Sequence, residues 1–390
     1  MPEAHIVGWG HTKFGKLAGQ SLEDLIVAAA SEAIDHAGVA PSEIDGIWIG
    51  HFNSGMVSDG FPASLALQMH DGLRFTPATR CENACASGSA AIYSGRDAIR
   101  AGSAKTVLVI GVEKMTDLDT AGVTQALSGA SYQRDEAGVS FPELFARFAR
   151  AYFQTNGDQS DVLARIAAKN HANAMNNPLA HLHKPLDLTF CATESPKNPV
   201  IAAPLKVSDC SLISDGAAAI VMVSDDRLGD FDRAVGFRAA VQVNDFLPMV
   251  RRNLLAFEGP AQAFGRAYEA AGITVDDLDF AEVHDCFTIA ELLVYEAMGL
   301  APQGRGRDAI ESGLVLADGR LPVNLSGGLK AKGHPVGATG VSMHVLTARQ
   351  LVGEAGDMQK PDAALGCVFN MGGSGVANYC SILEPVKVSA

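Results

Sequence analysis

Four side chains in this 390-residue sequence sit where cysteine and histidine could do covalent and proton-transfer chemistry. Cys85 lies in RCENACASGSAA, a short polar segment that opens into a small-residue helix. A thiol there feels unpaired N–H groups and the positive end of the helix dipole, which favour the thiolate; the alternative is a structural cysteine packed as a small hydrophobe. His334 lies in SGGLKAKGHPVGATG, where crowded glycines imply a close backbone approach and Pro335 starts the next helix. A histidine so placed can take the proton of a thiol and make the ion pair that a cysteine nucleophile needs. Otherwise it is a helix-start residue satisfied by backbone. His284, Asp285 and Cys286 follow the apolar strand DFAEV and precede the helix FTIAELLVYEAMG. Open α/β sheets place their sites at such carboxyl ends of strands. Asp285 has a simpler alternative role as a helix cap. No other Cys or His stands at usual ligand spacing, so no metal is expected. Asn370–Gly375, NMGGSG, ends the last strongly apolar run with bare backbone N–H groups. They form a tight turn or, beside a thiolate, an oxyanion donor worth on the order of a hundredfold in rate.

The elements that must hold these residues alternate along the chain. Strand-like runs (HIVGWG, DGIWIGHF, KTVLVIGVE) are separated by Ala-rich helical stretches, the rhythm of βαβ units around buried sheets. Ser21 caps a helix beginning near Leu22, with Asp24 three residues on and Gly38 as its stop. The rhythm returns late. PAQAFGRAYEAAGITVDDLDFAEVHDCF repeats SEAIDHAGVAPSEIDGIWIGHF, pairing Gly38 with Gly272 and Asp45 with Asp279. The CASG helix before KTVLVIG corresponds in the same way to the GHPVGATG helix before DAALGCVFNMGG. The expected organisation is therefore a duplicated α/β unit, with halves at 1–255 and 256–390. An inserted subdomain at about 115–211 breaks the pattern with polar helices and Pro-bearing turns and covers the site. SDGAAAIVMVSDD resumes strand character after it. Phe141, Leu144, Phe145 and Phe148 within the insertion line a channel or form one helix's buried face.

Composition narrows the function classes. A formal charge of −14 excludes a general nucleic-acid binder, yet leaves room for an anionic small substrate in a local basic pocket. Seven cysteines with no CxxC pair indicate a reducing cytoplasm, with neither a disulfide framework nor a zinc ribbon. MPEAHIVGWG is not a secretory signal, no run reaches membrane-spanning length, and the terminal VSA is not a peroxisomal address.

Taken together, CASG with Cys85, SDGAAAIV, HDCF with Cys286, GHPVGATG with His334 and the terminal NMGGSG resemble the thiolase superfamily. They come nearest to its sterol-carrier-protein type, in the family's order across nearly the whole chain. The resemblance implies a five-layered αβαβα fold of two similar halves and an inserted loop domain that helps hold coenzyme A. It also implies a homodimer or homotetramer active in lipid metabolism, with coenzyme A as substrate or product and no permanently bound cofactor. Better-known thiolases carry NEAF where this sequence has HDCF, and Cys where it has Asn370. Carried over residue by residue, the resemblance implies that Cys85 becomes acylated, His334 activates it, and Cys286 shuttles the proton at the α-carbon. His284 and His334 would stabilise the enolate oxygen, and the N–H groups of Cys85 and Gly372 the tetrahedral oxyanion.

Lys206, Lys330 and Lys332 are candidate contacts for coenzyme phosphates. Two other functions compete with a coenzyme-A-dependent acyltransferase of thiolase type. A decarboxylating ketoacyl synthase would use one Cys and two His, leaving Cys286 without a task. A subunit active only beside a small zinc-containing partner protein would keep the site but not turn over alone.

Overall fold

The computed structural model describes residues 2–388, so the last two residues of the terminal VSA lie outside the described residues. The first half runs β1 (Ala4–His11), α1 (Leu22–Ala37), β2 (Gly46–Gly50), β3 (Ala78–Cys81), α2 (Ser87–Arg100) and β4 (Thr106–Glu113). An excursion of helices follows: α3 (Thr120–Ser128), α4 (Gln133–Glu136), α5 (Phe141–Asn156), α6 (Ser160–Ala174) and α7 (Leu188–Ala192). A small hairpin, β5 (Val200–Ala202) and β6 (Leu205–Lys206), closes it before β7 (Gly216–Ser224). The second half holds β8 (Ala234–Asn244), α8 (Glu258–Ala271), β9 (Phe280–Val283), α9 (Thr288–Ala297), α10 (Arg307–Glu311), α11 (Thr339–Leu351), β10 (Gly366–Gly372) and β11 (Ala377–Val386).

Nine strands form one mixed sheet in the order β3-β2-β4-β7-β1-β8-β11-β10-β9. The repeat read in the sequence is visible in it. Going outward from the centre, β1-β7-β4-β2 is matched by β8-β11-β10-β9, with the same succession of two antiparallel pairings and then a parallel one. β3 lies parallel beyond β2, and beyond β9 the segment at Val323 makes a parallel bridge to Ala281. Local chemistry repeats too. Ser21 accepts the Asp24 N–H in a capping box, and α1 and α8 both stop at left-handed glycines, Gly38 at φ 69° and Gly272 at φ 64°. Asp45 accepts the N–H groups of Lys105 and Thr106 at 2.7 and 2.9 Å; Asp279 accepts those of Ala364 and Leu365 at 2.7 and 2.8 Å.

Layering follows from which faces are apolar. α1 packs its Leu22, Leu25, Ile26, Ala29, Ala30, Ala33 and Ile34 stripe on the first-half strands, and α8 covers β8 and β11. α11 is buried all round and lies between strands of both halves, against α2. The two central helices meet where side chains are missing. A Cβ on Gly88 would collide with the carbonyl of Gly337 and the amide of Val341, and one on Gly340 would run into Ser89. That close approach brings the starts of α2 and α11, and hence Cys85 and His334, to one place.

Candidate active site

Cys85 sits on a tight elbow ahead of α2. Ala84 takes φ 51°, in the left-handed region. Ser87 holds the elbow by accepting the Asn83 N–H at 2.9 Å and donating to the Ala84 carbonyl at 2.6 Å. His334 leads into α11 through Pro335, and His284 and Cys286 follow β9 directly. Cys85 Sγ and one ring nitrogen each of His284 and His334 lie within 4.8 Å of one another. Their spacing would also admit a thiophilic ion, and the same three atoms are a thiol with two imidazoles around it. The imidazole rings are T-shaped, with centroids 5.1 Å apart.

The hydrogen bonds give the two histidines opposite roles. Asn370 holds its amide oxygen against Ser89 Oγ at 2.8 Å, which turns its NH₂ toward His284 Nδ1 at 2.9 Å and the Cys85 carbonyl at 3.3 Å. His284 Nδ1 therefore accepts, the ring proton is on Nε2, and that buried atom has no protein partner among the described residues. In His334 the Nδ1 faces Thr339 Oγ1 at 2.7 Å, and the Thr339 hydroxyl spends its own proton on the Pro335 carbonyl at 2.9 Å. His334 Nδ1 must donate, so its Nε2 carries a lone pair. One imidazole is a donor and the other a base.

At Cys85 desolvation opposes the thiolate that the helix start favours. Desolvation pushes its thiol up to about 12, and the nearby Glu113 charge adds to the rise against hydrogen bonds from the Gly373 and Cys85 backbone. Burial and the Lys332 charge lower His334 to about 3. Both shifts favour the neutral thiol and the neutral imidazole over the ion pair. Burial, the Cys85 sulfur and Asp285 likewise raise Cys286.

Two buried carboxylates position these loops. Glu113 accepts the N–H groups of Phe52 and Asn53 at 2.9 Å and of Gly337 at 3.0 Å, and pairs with His51 at 3.0 Å. It thereby ties the His334 turn to the first half. Asp285 does not cap α9, whose N-cap is Phe287. It accepts the N–H groups of Leu329 and Lys330 at 2.6 and 3.2 Å and the Asn170 amide at 2.7 Å, while Gly328 leaves room for its carboxylate.

A cavity of about 500 Å³ leads to the site. Cys85, Cys286 and His334 lie along it with apolar walls from Phe141, Leu127 and Val336, and Lys184 and Lys197 stand at exposed positions on its lining. Of the insertion's aromatic stripe, Phe141 lines this cavity, and Leu144, Phe145 and Phe148 belong to the core. Among the three lysines singled out from sequence, Lys330 lines the cavity. Lys206 is buried against Asp209 at 3.3 Å, and Lys332 is buried and donates to Ser342. Gly372 ends β10; the N–H directed at the Cys85 sulfur belongs to Gly373, one residue further. Nothing local marks Glu113 or Ser89, whose partners Gly337 and Asn370 are 224 and 281 positions away, whereas Thr339 and Gly373 lie inside GHPVGATG and NMGGSG without a residue type that singles them out.

Residues 4–226 match the family described as "Thiolase, N-terminal domain", and 242–385 match "Thiolase C-terminal domain-like". The acetyl-CoA acetyltransferase of Methanothermobacter thermautotrophicus is 38% identical over 379 residues, covering 96% of this chain and 97% of its own. The chain belongs to the thiolase family. Sterol carrier protein 2 of Oryctolagus cuniculus is 31% identical, covering 97% of this thiolase and 71% of its own length. Among solved structures, the "Ltp2-ChsH2(DUF35) aldolase" superposes with a TM-score of 0.81 at 24% identity, covering 98% of this chain and 97% of its own, a likeness of fold. No helix among the described residues of this thiolase is long and apolar enough to cross a membrane.

Proposed function

We propose that this thiolase is a coenzyme-A-dependent acyltransferase that cleaves 3-oxoacyl-CoA, or condenses acyl-CoA with acetyl-CoA, through an acyl-Cys85 intermediate. The observation that carries it is Cys85 beside a donor imidazole and a base imidazole in a cavity that Cys286 also lines. His334 Nε2 takes the Cys85 proton as the sulfur bonds to the C3 carbonyl. The N–H of Gly373, already directed at the sulfur, is the nearest oxyanion donor beside that of Cys85, in place of Gly372. As the C2–C3 bond breaks, His284 Nε2–H and protonated His334 hold the enolate oxygen, and Cys286 gives its proton to C2. The thiol of coenzyme A then takes the acyl group, its proton restores Cys286, and His334 returns its proton to Cys85. Condensation is the reverse.

Cys286 in the cavity supports this over the decarboxylating reading, which gives that thiol no task. The matched segments favour a junction between 226 and 242, ahead of the 255/256 boundary read from sequence, and the helices α3–α7 between β4 and β7 support an insertion at about 115–211. Lys184 and Lys197, exposed on the cavity lining, are the basic groups best placed for the coenzyme A phosphates, ahead of the buried Lys206, Lys330 and Lys332. Seven free thiols support a reducing cytoplasm, and the unpaired outer edge of β3 supports a homodimer or homotetramer. A second reading makes turnover depend on a small zinc-containing partner; the structurally similar "Ltp2-ChsH2(DUF35) aldolase" has a DUF35 protein in its name.

Intact-protein mass after mixing with acetyl-CoA and with acetoacetyl-CoA, followed by peptide mapping and coenzyme A release, tests the proposal. Acetylation of Cys85 with thiolytic turnover is expected. Labelling without turnover points to the partner, and no adduct from either thioester sinks the reading.

A further inference from the structure

Among the described residues, five lysines are buried: Lys114, Lys169, Lys206, Lys330 and Lys332. Four have their ammonium satisfied. Lys114 meets Asp215 at 2.8 Å, Lys169 meets Glu291 at 2.7 Å, Lys206 meets Asp209 at 3.3 Å, and Lys332 donates to Ser342 at 3.2 Å. Lys330 is only 3% exposed, makes no ammonium hydrogen bond or ion pair within the described residues, and lines the cavity. Burial disfavours the Lys330 charge against the more distant charges of Asp209 and Asp285, neither of which reaches it as an ion pair, so a counter-charge in the cavity would stabilise it. His171, fully buried, lines the same cavity. Its Nδ1 donates to the Lys184 carbonyl at 3.1 Å, so its Nε2 is an acceptor, and that atom is buried without a partner. Burial and the Lys330 charge hold this imidazole down to about 4, which places the two groups within each other's field.

We infer that Lys330 and His171 form a carboxyl-binding subsite in the cavity, selecting acyl thioesters whose acyl chain carries a distal carboxyl group. A carboxylate meets both needs: one oxygen accepts from the ammonium, and the other shares with Nε2 a proton taken up from water on binding. A hydroxyl or amide would fill the hydrogen bonds but add no negative charge to those of Asp209 and Asp285. The phosphates of coenzyme A offer the same anionic oxygen, but exposed Lys184 and Lys197 are available to them elsewhere on the lining. The inference rests on the thiolase reading for the route of the acyl chain, and its test does not need turnover.

In Cys85→Ala protein, dissociation constants would be measured by calorimetry for succinyl-, glutaryl- and adipoyl-CoA against butanoyl-, pentanoyl- and hexanoyl-CoA, with coenzyme A alone as the third arm. The carboxylated ligand of the fitting length is expected to bind about tenfold or more tighter than its methyl-ended partner. That ratio should fall to near one in the added Lys330→Met background and fall partway with His171→Phe. Lys330→Met should also melt higher than its parent without ligand, because it removes an unpaired charge; a structural ion pair would give the opposite shift. No carboxyl advantage at any length, including no binding, overturns the inference. So does an equal loss of affinity for coenzyme A alone, which would make Lys330 a phosphate contact. Lys330→Gln with the same ratio as the parent would overturn it independently of folding.

Discussion

The two halves of the molecule end their equivalent strands in opposite ways. Aligning Asp45 with Asp279 and Thr106 with Leu365, whose hydrogen bonds correspond, sets Gly50 against His284 and Gly111 against Asn370. In the first half, Gly50 and Gly111 keep the place empty of side chains. A Cβ on Gly50 would strike the Gly88 backbone, and one on Gly111 would strike the Gly337 carbonyl and Ala338. In the second half the same place holds a hydrogen-bonded imidazole and amide beside Cys85. The duplicated frame thus separates two tasks: one half admits the helix starts closely, and the other supplies the imidazole and amide they meet.

The largest way to break this comparison is to remove the groups that differ. Cys85→Ala is expected to abolish acyl labelling and lower kcat/KM by about 10⁴-fold or more. Cys286→Ala is expected to leave labelling by acetyl-CoA while cutting carbon–carbon bond formation by roughly 10² to 10⁴. Bond formation unchanged in Cys286→Ala would refute the division of roles. Next in size, His284→Ala should cost on the order of 10² to 10³ in kcat by removing an oxyanion donor. Asn370→Ala, which frees the His284 tautomer and removes the bonds to Ser89 and the Cys85 carbonyl, should cost about tenfold, both read in steady-state thiolysis. If the first half is the spacer, Gly111→Ala should destabilise by about 1–3 kcal/mol in urea unfolding. Asn370→Gly, which copies the first half into the second, should lower activity more than stability.

Protons give the smallest and most distributed effect. Burial lowers His11 and His334 to about 3 and His171 and His344 to about 4, so the unfolded chain binds more protons than the folded one below the usual histidine value. Their contribution is fully present above about pH 6.5 and is lost as pH falls toward those folded values, with a slope of up to about 1.4 kcal/mol per pH unit for each. Urea midpoints from pH 7 to 4.5 should show the decline, and His344→Gln should flatten it without moving the activity profile.

Several features were legible in sequence because they are local. The Ser21–Asp24 box and the Gly38 and Gly272 stops depend on residues within one turn, and the repeat spacing of strand, helix and acidic link carried the duplication. The order of CASG, HDCF, GHPVGATG and NMGGSG marked the candidate residues because each is a contiguous run that resembles a thiolase motif, although Gly337 and His334 find backbone partners as distant as Glu113 and Ser214.

What only the tertiary structure decided is how those residues are charged and aimed. Desolvation opposes the helix N-terminus at Cys85, and its size depends on atoms contributed from across the chain. Which imidazole donates follows from Asn370 and Ser89 on one side and Thr339 on the other. Lys206, Lys330 and Lys332 look alike in sequence, and only burial and the presence of Asp209 or Ser342 within reach separate a paired lysine from the free one in the cavity. Local backbone preferences fix where a reactive side chain starts, whereas its protonation and its partners are long-range electrostatics that exist only once the two halves have closed on each other.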